Sequence, residues 1–345
     1  RLYFLSRDGQ ILFEIAKKLI QKDPMDIELR YLYGSRQAWF LPAVVNIDEY
    51  ELTWMLSKDP IITLEIVAAR ISCDVQVLQN KMSSLMNAKI KINKDLDREE
   101  IKILQQCIQS KEITLMILEK AKQRRSDLIN YLKQEGLCED VNWAMVDLGW
   151  VGRLQSVIRK ILDIEGLNKK SITGFYFGIN RLTQDIQPKY DHRVSFFFNS
   201  NQKNAFLHVG LKCINLLEVL TAADHGMTIN YHLNAAKKWE PVLKQDKNGA
   251  ALDWGIQIFH QGIYAFIDQV PEELLKNFEQ YEEEYKLLLL DMMGKLASNP
   301  HPEEADAISS YLFSCDQTET KLRSIAPALS ITQALYIAFT RDLQN

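Results

Sequence analysis

The chain has 345 residues, of which 47% are hydrophobic and 25% charged, and its formal net charge is -4. That balance is ordinary for a globular protein and allows one large domain or two smaller ones. It excludes a nucleic-acid binder, because no dense basic block appears, and a membrane-spanning helix, because no apolar run approaches about 18 residues.

The five cysteines, Cys73, Cys107, Cys138, Cys213 and Cys315, are scattered and form no CxxC pair. Reduced thiols and a cytoplasmic setting are therefore expected, rather than a disulfide framework or zinc site. The chain opens on an apolar run without Met, shows no signal-peptide pattern, and reads as a piece of a longer polypeptide.

Residues 2–5 predict a short buried strand. Ser6, Arg7, Asp8 and Gly9 follow, then Ile11, Leu12, Ile15, Ala16 and Leu19 at helical spacing. An arginine beside a glycine at a helix start suits a phosphate or pyrophosphate. The plainer reading, in which Ser6 or Asp8 caps the helix, is compatible with it. Pro24 breaks the chain. A second strand at 29–33 ends in Gly34, Ser35, Arg36 and Gln37.

Residues 48–135 contain almost no glycine and carry helical patterns at 63–71, 75–86 and 97–136. Lys120 to Arg125 reads as a solvated helix face. The block is expected to be an insertion, or a cap over the carboxyl ends of the strands that excludes water.

The most informative stretch runs from 141 to 161. An apolar strand at 143–146 ends in Asp147, then come Gly149 and Gly152. Leu154, Val157, Ile158 and Ile161 then recur at helical spacing. Open α/β sheets build ligand sites from this sequence of strand, acid, glycine loop and helix. Glycines let backbone N–H groups approach an anion, and Asp147 suits a ribose hydroxyl or a metal ion. The bland alternative is an Asp and two glycines serving packing alone.

Further strands are expected at 172–178 and 193–199, and an apolar helix at 211–220. That helix carries Glu218, read as a paired charge or a site residue. Next come Asp224, His225 and Gly226, with His225 either a general base or simply hydrogen-bonded. An exposed strand and loop cover 240–249. Residues 254–293 read as helical, Pro300 and Pro302 mark a loop, and final helices are expected at 303–313 and 331–343. The fold class is thus α/β, an open, mostly parallel sheet. Residues 1–47 and 141–250 form its two parts, 48–140 a helical insertion, and 251–345 a C-terminal helical region.

These motifs carry two resemblances. Residues 3–16 and 144–155 resemble the pyrophosphate loop and the phosphoribosyl pyrophosphate motif of the type I phosphoribosyltransferase fold. Phe-Leu-Ser-Arg-Asp-Gly at 4–9, Tyr-Leu-Tyr-Gly-Ser-Arg at 31–36, Asp-Leu-Gly-Trp-Val-Gly-Arg-Leu-Gln at 147–155, and the Glu218 and His225-Gly226 stretch together resemble a region of bacterial polysaccharide-assembly proteins. That region often follows a haloacid-dehalogenase-like phosphatase domain.

The resemblance implies a pentosyltransferase acting in O-antigen or capsule assembly. It would move 5-phosphoribosyl from phosphoribosyl pyrophosphate to a hydroxyl of a glycan, free or lipid-linked at the inner membrane face. A partner phosphatase would then strip the 5-phosphate to leave a ribofuranose. On this resemblance Arg7 and Gly9 hold pyrophosphate, with Ser35 and Arg36 reaching it from the next strand. Asp147 holds the ribose hydroxyls and shares Mg2+ with Asp8. Gly149, Trp150, Gly152, Arg153 and Gln155 form the 5-phosphate loop. Glu218, His225 or Asp8 takes the acceptor proton.

The chain departs from the pattern in two ways. Leu148 stands where a second acid is usual, and Trp150, Val151 and Gly152 stand where threonines are usual.

Three other readings compete. Leu5-Ser-Arg-Asp-Gly resembles the phosphatase motif Asp-x-Asp-Gly, but Ser6 replaces the nucleophilic Asp. A non-catalytic domain binding a glycan or a partner enzyme is the second. A nucleotide-sugar glycosyltransferase is the weakest, lacking an Asp-x-Asp metal motif.

Overall fold

The computed structural model describes residues 1–58, 60–87, 89–167, 170–180, 191–201, 204–314, 317–319, 322–326 and 330–333. The chain opens with strand β1 (Leu2–Leu5), helix α1 (Gly9–Lys22), strand β2 (Leu29–Leu32) and the one-turn helix α2 (Arg36–Trp39). Tyr3, Phe4 and Leu5 are all buried. A strand without polar alternation needs cover on both faces, as parallel sheets have. β1 and β2 pair in parallel, with Leu2 opposite Leu29 and Leu5 opposite Leu32.

Five helices follow: α3 (Glu49–Met55), α4 (Leu64–Arg70), α5 (Val75–Met86), α6 (Arg98–Ile108) and α7 (Lys111–Gln134). The first four start where Asp48, Thr63, Asp74 and Asp97 accept backbone N–H groups of the first turn. This block does not form a core of its own. Leu104, Ile108, Ile117, Leu128 and Leu132 pack in one cluster with Tyr3, Leu5, Leu32 and Met145 of the sheet. Polar contacts reinforce the join. The Tyr33 N–H donates to the Tyr131 hydroxyl at 3.0 Å, and the Tyr3 hydroxyl donates to the Glu135 carbonyl at 2.6 Å.

The chain then returns through β3 (Ala144–Asp147), α8 (Arg153–Ile164), β4 (Thr173–Ile179), β5 (His192–Asn199) and α9 (Ala205–Leu220). All five strands run parallel, in the order β2-β1-β3-β4-β5. The α/β architecture expected from the sequence is therefore the one observed. β3 lies directly beside β1, with Phe4 opposite Val146. The chain leaves β1 toward one edge and comes back on its other side, so the winding direction reverses between β1 and β3. At such a reversal the loops leave in opposite directions and open a crevice outside the carboxyl ends of the strands.

An antiparallel hairpin follows, β6 (Thr228–Leu233) with β7 (Trp239–Leu243). The sequence reading foresees β7 but not β6. Tyr231 explains why the segment is extended: it stacks on Tyr131, with centroids 4.4 Å apart, accepts from Trp39 Nε1 at 2.6 Å and donates to the Tyr33 carbonyl at 2.8 Å. All these partners are remote in sequence, so no local pattern reveals them.

The C-terminal part comprises α10 (Gly249–Trp254), α11 (Ile256–Gln269), α12 (Glu272–Lys276), α13 (Glu282–Ser298), α14 (Pro302–Ser309) and a small antiparallel pair, β8 (Leu312–Phe313) with β9 (Arg323–Ser324). The helix expected at 303–313 stops at Ser309 and gives way to β8. Most of the helix expected at 331–343 lies outside the described residues. Among the described residues no helix is long and apolar enough to cross a membrane.

One buried ion pair locks the far side of the sheet. Arg159 Nε donates to both Asp191 carboxylate oxygens at 3.1 Å, and the Ile172 N–H donates to Asp191 Oδ1 at 2.9 Å. Both side chains are almost fully buried. Removing one partner strands the other charge away from water, which costs about 3–5 kcal/mol. Asp191→Ala should therefore lower unfolding stability by about that amount in urea titration. A loss under about 1 kcal/mol would mean that water reaches the pair.

Candidate functional site

A cavity of about 540 Å3 opens at the reversal between β1 and β3. Its wall includes Arg7 and Asp8 after β1, Ser35 and Arg36 after β2, and Asp147, Gly149, Trp150, Gly152 and Arg153 at and after β3. Glu218 of α9, His225, and Lys244 after β7 complete the polar lining. The structure thus gathers most of the residues singled out in the sequence. It leaves out two, Gly9 and Gln155, neither of which lines the cavity.

Gly9 is buried at the start of α1, where a Cβ would sit 3.0 Å from the Phe4 backbone carbon. The glycine lets the helix pack against its own strand. Gln155 is fully buried. Its Nε2 donates to the Ile172 and His192 carbonyls at 2.9 and 3.0 Å, and its Oε1 accepts from the Tyr176 hydroxyl at 2.8 Å. It therefore fastens β4 and β5 behind the loop and has no group to offer a ligand. The helical block lies between β2 and β3 as an insertion and does not serve as the cap that the sequence also allows. No described residue between 48 and 140 lines the cavity, because α7 is spent on the sheet core. The cavity wall comes instead from residues 215–250 and 311–322.

The loop after β3 follows a path that demands its glycines. Gly149 has φ +145°, and a Cβ there would lie 2.4 Å from the Gly178 carbonyl oxygen. Gly152 has φ +71°, and a Cβ would meet the Arg193 side chain at 2.7 Å. Gly152 also caps α8 without any side-chain hydrogen bond, as Asp8 does for α1. Two long helices thus begin at the cavity with first-turn N–H groups that no cap side chain satisfies, and both starts carry a positive dipole end.

The β1 tip is held from behind. The Ser6 hydroxyl donates to the Gly34 carbonyl at 2.6 Å and accepts the Gly34 N–H at 2.9 Å. Arg7 adopts φ +71°, which is costly for a residue with a side chain. Its N–H donates to the Tyr31 hydroxyl at 3.0 Å, and that hydroxyl lies 2.6 Å from His225 Nε2. His225 Nδ1 lies 2.8 Å from the Gly226 carbonyl, so it carries the proton and Nε2 accepts from Tyr31. Burial lowers the His225 pKa, favouring this neutral form. Its basic nitrogen is therefore occupied, and His225 acts as a prop for Arg7 rather than a base.

Ser35 is committed as well. It caps α2 by accepting from Ala38 N at 3.0 Å and donates to the Thr228 carbonyl at 2.6 Å. Glu218, odd on its apolar helix, accepts from Trp150 Nε1 at 2.8 Å, while the Trp150 ring stacks on Phe198.

Three carboxylates meet in this setting. Burial, then repulsion from Glu218, pushes the Asp8 carboxyl up to about 7, against the pull of Arg7 and Arg36. Burial, then the charges of Asp8 and Glu218, raises Asp147 well above the usual carboxylate range, although it accepts the Leu148 N–H at 2.9 Å. Like charges crowded away from water favour a bound proton or a cation. Among the described residues no set of three metal-ligating side chains is close enough to hold a metal by itself. A hard cation that keeps several waters needs only one or two carboxylates, and Asp8 and Asp147 meet that requirement.

No protein-family model matches the chain, and no curated protein matches it either.

The raised acid has a consequence for stability. The ordinary value is 3.8, so between about pH 4 and 7 the folded state binds more protons than the unfolded one. Stability from this group falls as pH rises through that window. Asp8→Asn should therefore raise the melting temperature at pH 8 by at least about 2 °C, or roughly 1 kcal/mol for a chain of this size. The gain should shrink toward zero near pH 4. A pH-independent gain would show that Asp8 is not a buried acid.

Proposed function

We propose that this chain is a glycosyltransferase of phosphoribosyltransferase type, moving 5-phosphoribosyl from phosphoribosyl pyrophosphate to a glycan hydroxyl in polysaccharide assembly. The observation that carries this reading is the meeting of two adjacent strand tips in one cavity. One tip bears Arg7 and Asp8, the other Asp147 and the glycine loop, with Arg36 and Arg153 in the same wall. A donor with phosphates at both ends of a pentose needs anion holders on two sides and an acid between them.

Each group then has a task. Arg7 and Arg36 bind the diphosphate, since guanidinium forks match phosphate oxygens. The α8 start, with Gly152 and Arg153, binds the 5-phosphate through backbone N–H groups. The missing threonines matter less here, because the amides of an uncapped helix replace hydroxyl donors, whereas Leu148 in place of the second acid leaves the ribose hydroxyls to Asp147 alone. Asp147 orients the ribose hydroxyls, and its charge favours the positive anomeric carbon that develops as diphosphate leaves. Mg2+ fits Asp8 and Asp147 and, when bound, would neutralise the diphosphate leaving group. With His225 Nε2 occupied by Tyr31, Glu218 is the group left to take the acceptor proton. A phosphatase partner would then remove the 5-phosphate. Ser6 argues against phosphoryl-enzyme chemistry in this chain itself, since its hydroxyl is bonded both ways to Gly34.

Calorimetry with phosphoribosyl pyrophosphate and Mg2+ tests the reading. Binding should be measurable below millimolar donor and should weaken about 10- to 100-fold in Arg7→Gln, the loss of one charge-assisted contact. Asp147→Asn should slow transfer to a glycan acceptor by at least about 100-fold, the scale of one lost transition-state contact. No donor binding at millimolar concentration would overturn the proposal.

A further inference from the structure

The cavity already holds an anion supplied by the chain itself. The Arg7 guanidinium forms an ion pair with the Glu319 carboxylate, 312 residues away in sequence. Glu319 belongs to a strap that includes residues 317–319 and contributes to the cavity wall. Lys244 Nζ donates to the Thr318 and Glu319 carbonyls, both at 2.6 Å, and fixes the strap on the β7 side. Gln317 Nε2 donates to Gln37 Oε1 at 3.3 Å and fixes it on the α2 side. Gln317 and Thr318 are buried, and Glu319 takes a left-handed φ of +50° that turns its backbone at the rim. Lys244, Gln317 and Glu319 all belong to the cavity wall.

We propose that Glu319 is an internal occupant of the anion position at Arg7, so that the strap restrains the site until a diphosphate displaces it. This rests on the reading of Arg7 as an anion holder given above. The chemistry is direct competition. Glu319 holds the guanidinium through Nη1, and a phosphate oxygen approaching that edge must compete with the carboxylate for it. Glu319 brings one charge to Arg7, whereas a diphosphate brings several and also engages Arg36. The Arg7 side chain keeps 36% and that of Glu319 17% of its surface exposed, so the pair is only partly buried and salt screens it in part. The brake is therefore reversible, with an effect of about 5- to 10-fold rather than a block.

The test titrates the full chain with inorganic pyrophosphate by calorimetry at low salt. Glu319→Gln keeps the shape and removes the charge, and should bind about 5- to 10-fold tighter than the parent. Gln37→Ala, outside the cavity wall, loosens the α2-side anchor and should tighten binding in the same direction by a smaller factor. The double variant Arg7→Gln, Glu319→Gln should lose the gain. Equal affinity of the parent and Glu319→Gln overturns the strap and leaves the anion site standing. Weaker binding by Glu319→Gln also overturns it, since Glu319 would then serve to orient Arg7. Absence of pyrophosphate binding in every variant overturns both the strap and the site.

Discussion

The parallel pairing of β1 with β3 is the constraint from which the site follows. It sets the ends of two strands side by side and gives both ends an acid. Asp8 and Asp147 raise the energy of each other's charge, and Glu218 adds to both. A protein core would remove such a cluster. Here it survives at a crevice, surrounded by arginines, an indole donor and two helix starts. Acids with raised pKa values held rigid in a cavity mark it as a candidate binding site.

Holding that arrangement requires a stiff base. Gln155 ties β4 to β5, Ser6 ties the β1 tip to the β2 tip, and Tyr31 with His225 supports the left-handed turn at Arg7. Behind them the helical block shares its apolar core with the sheet. The insertion therefore contributes stability rather than cover. Strain at Arg7 is tolerated because the surrounding contacts over-determine its conformation.

Much of this was legible in the sequence, and what was hidden shares one physical cause. The five parallel strands show as short apolar runs, and the glycine loop shows as Gly149 and Gly152 before a helical pattern. Those signals are local. The sequence could suggest that Arg7 and Asp147 meet, but only pairing across more than a hundred residues makes them neighbours. Gln155 looked like a loop residue because it follows Arg153 by two positions. On a helix those two positions turn it to the opposite side, into the sheet. Gly9 and Gly149 look alike as letters, yet one makes room for packing and the other for a passing backbone. Strand β6 and the strap at 317–319 carry no periodic signal at all. Their partners, Tyr131, Trp39, Lys244 and Arg7, lie far away in the chain.

Charge balance narrows the ligand class further. A plain anion would satisfy the arginines and worsen the crowding of Asp8, Asp147 and Glu218. A neutral sugar would bring no charge to either set. A bare cation would relieve the acids and be repelled by Arg7, Arg36 and Arg153. The proposed donor, a polyphosphate ester carrying a divalent cation, would meet both demands, with its phosphates toward the arginines and the metal toward the acids. The strap obeys the same rule. It supplies a single carboxylate to one arginine and nothing to the acids, so it answers only half of the cavity's electrostatic demand. On the proposed reading a metal-bound diphosphate would answer both halves, and that asymmetry is what would let it displace the strap.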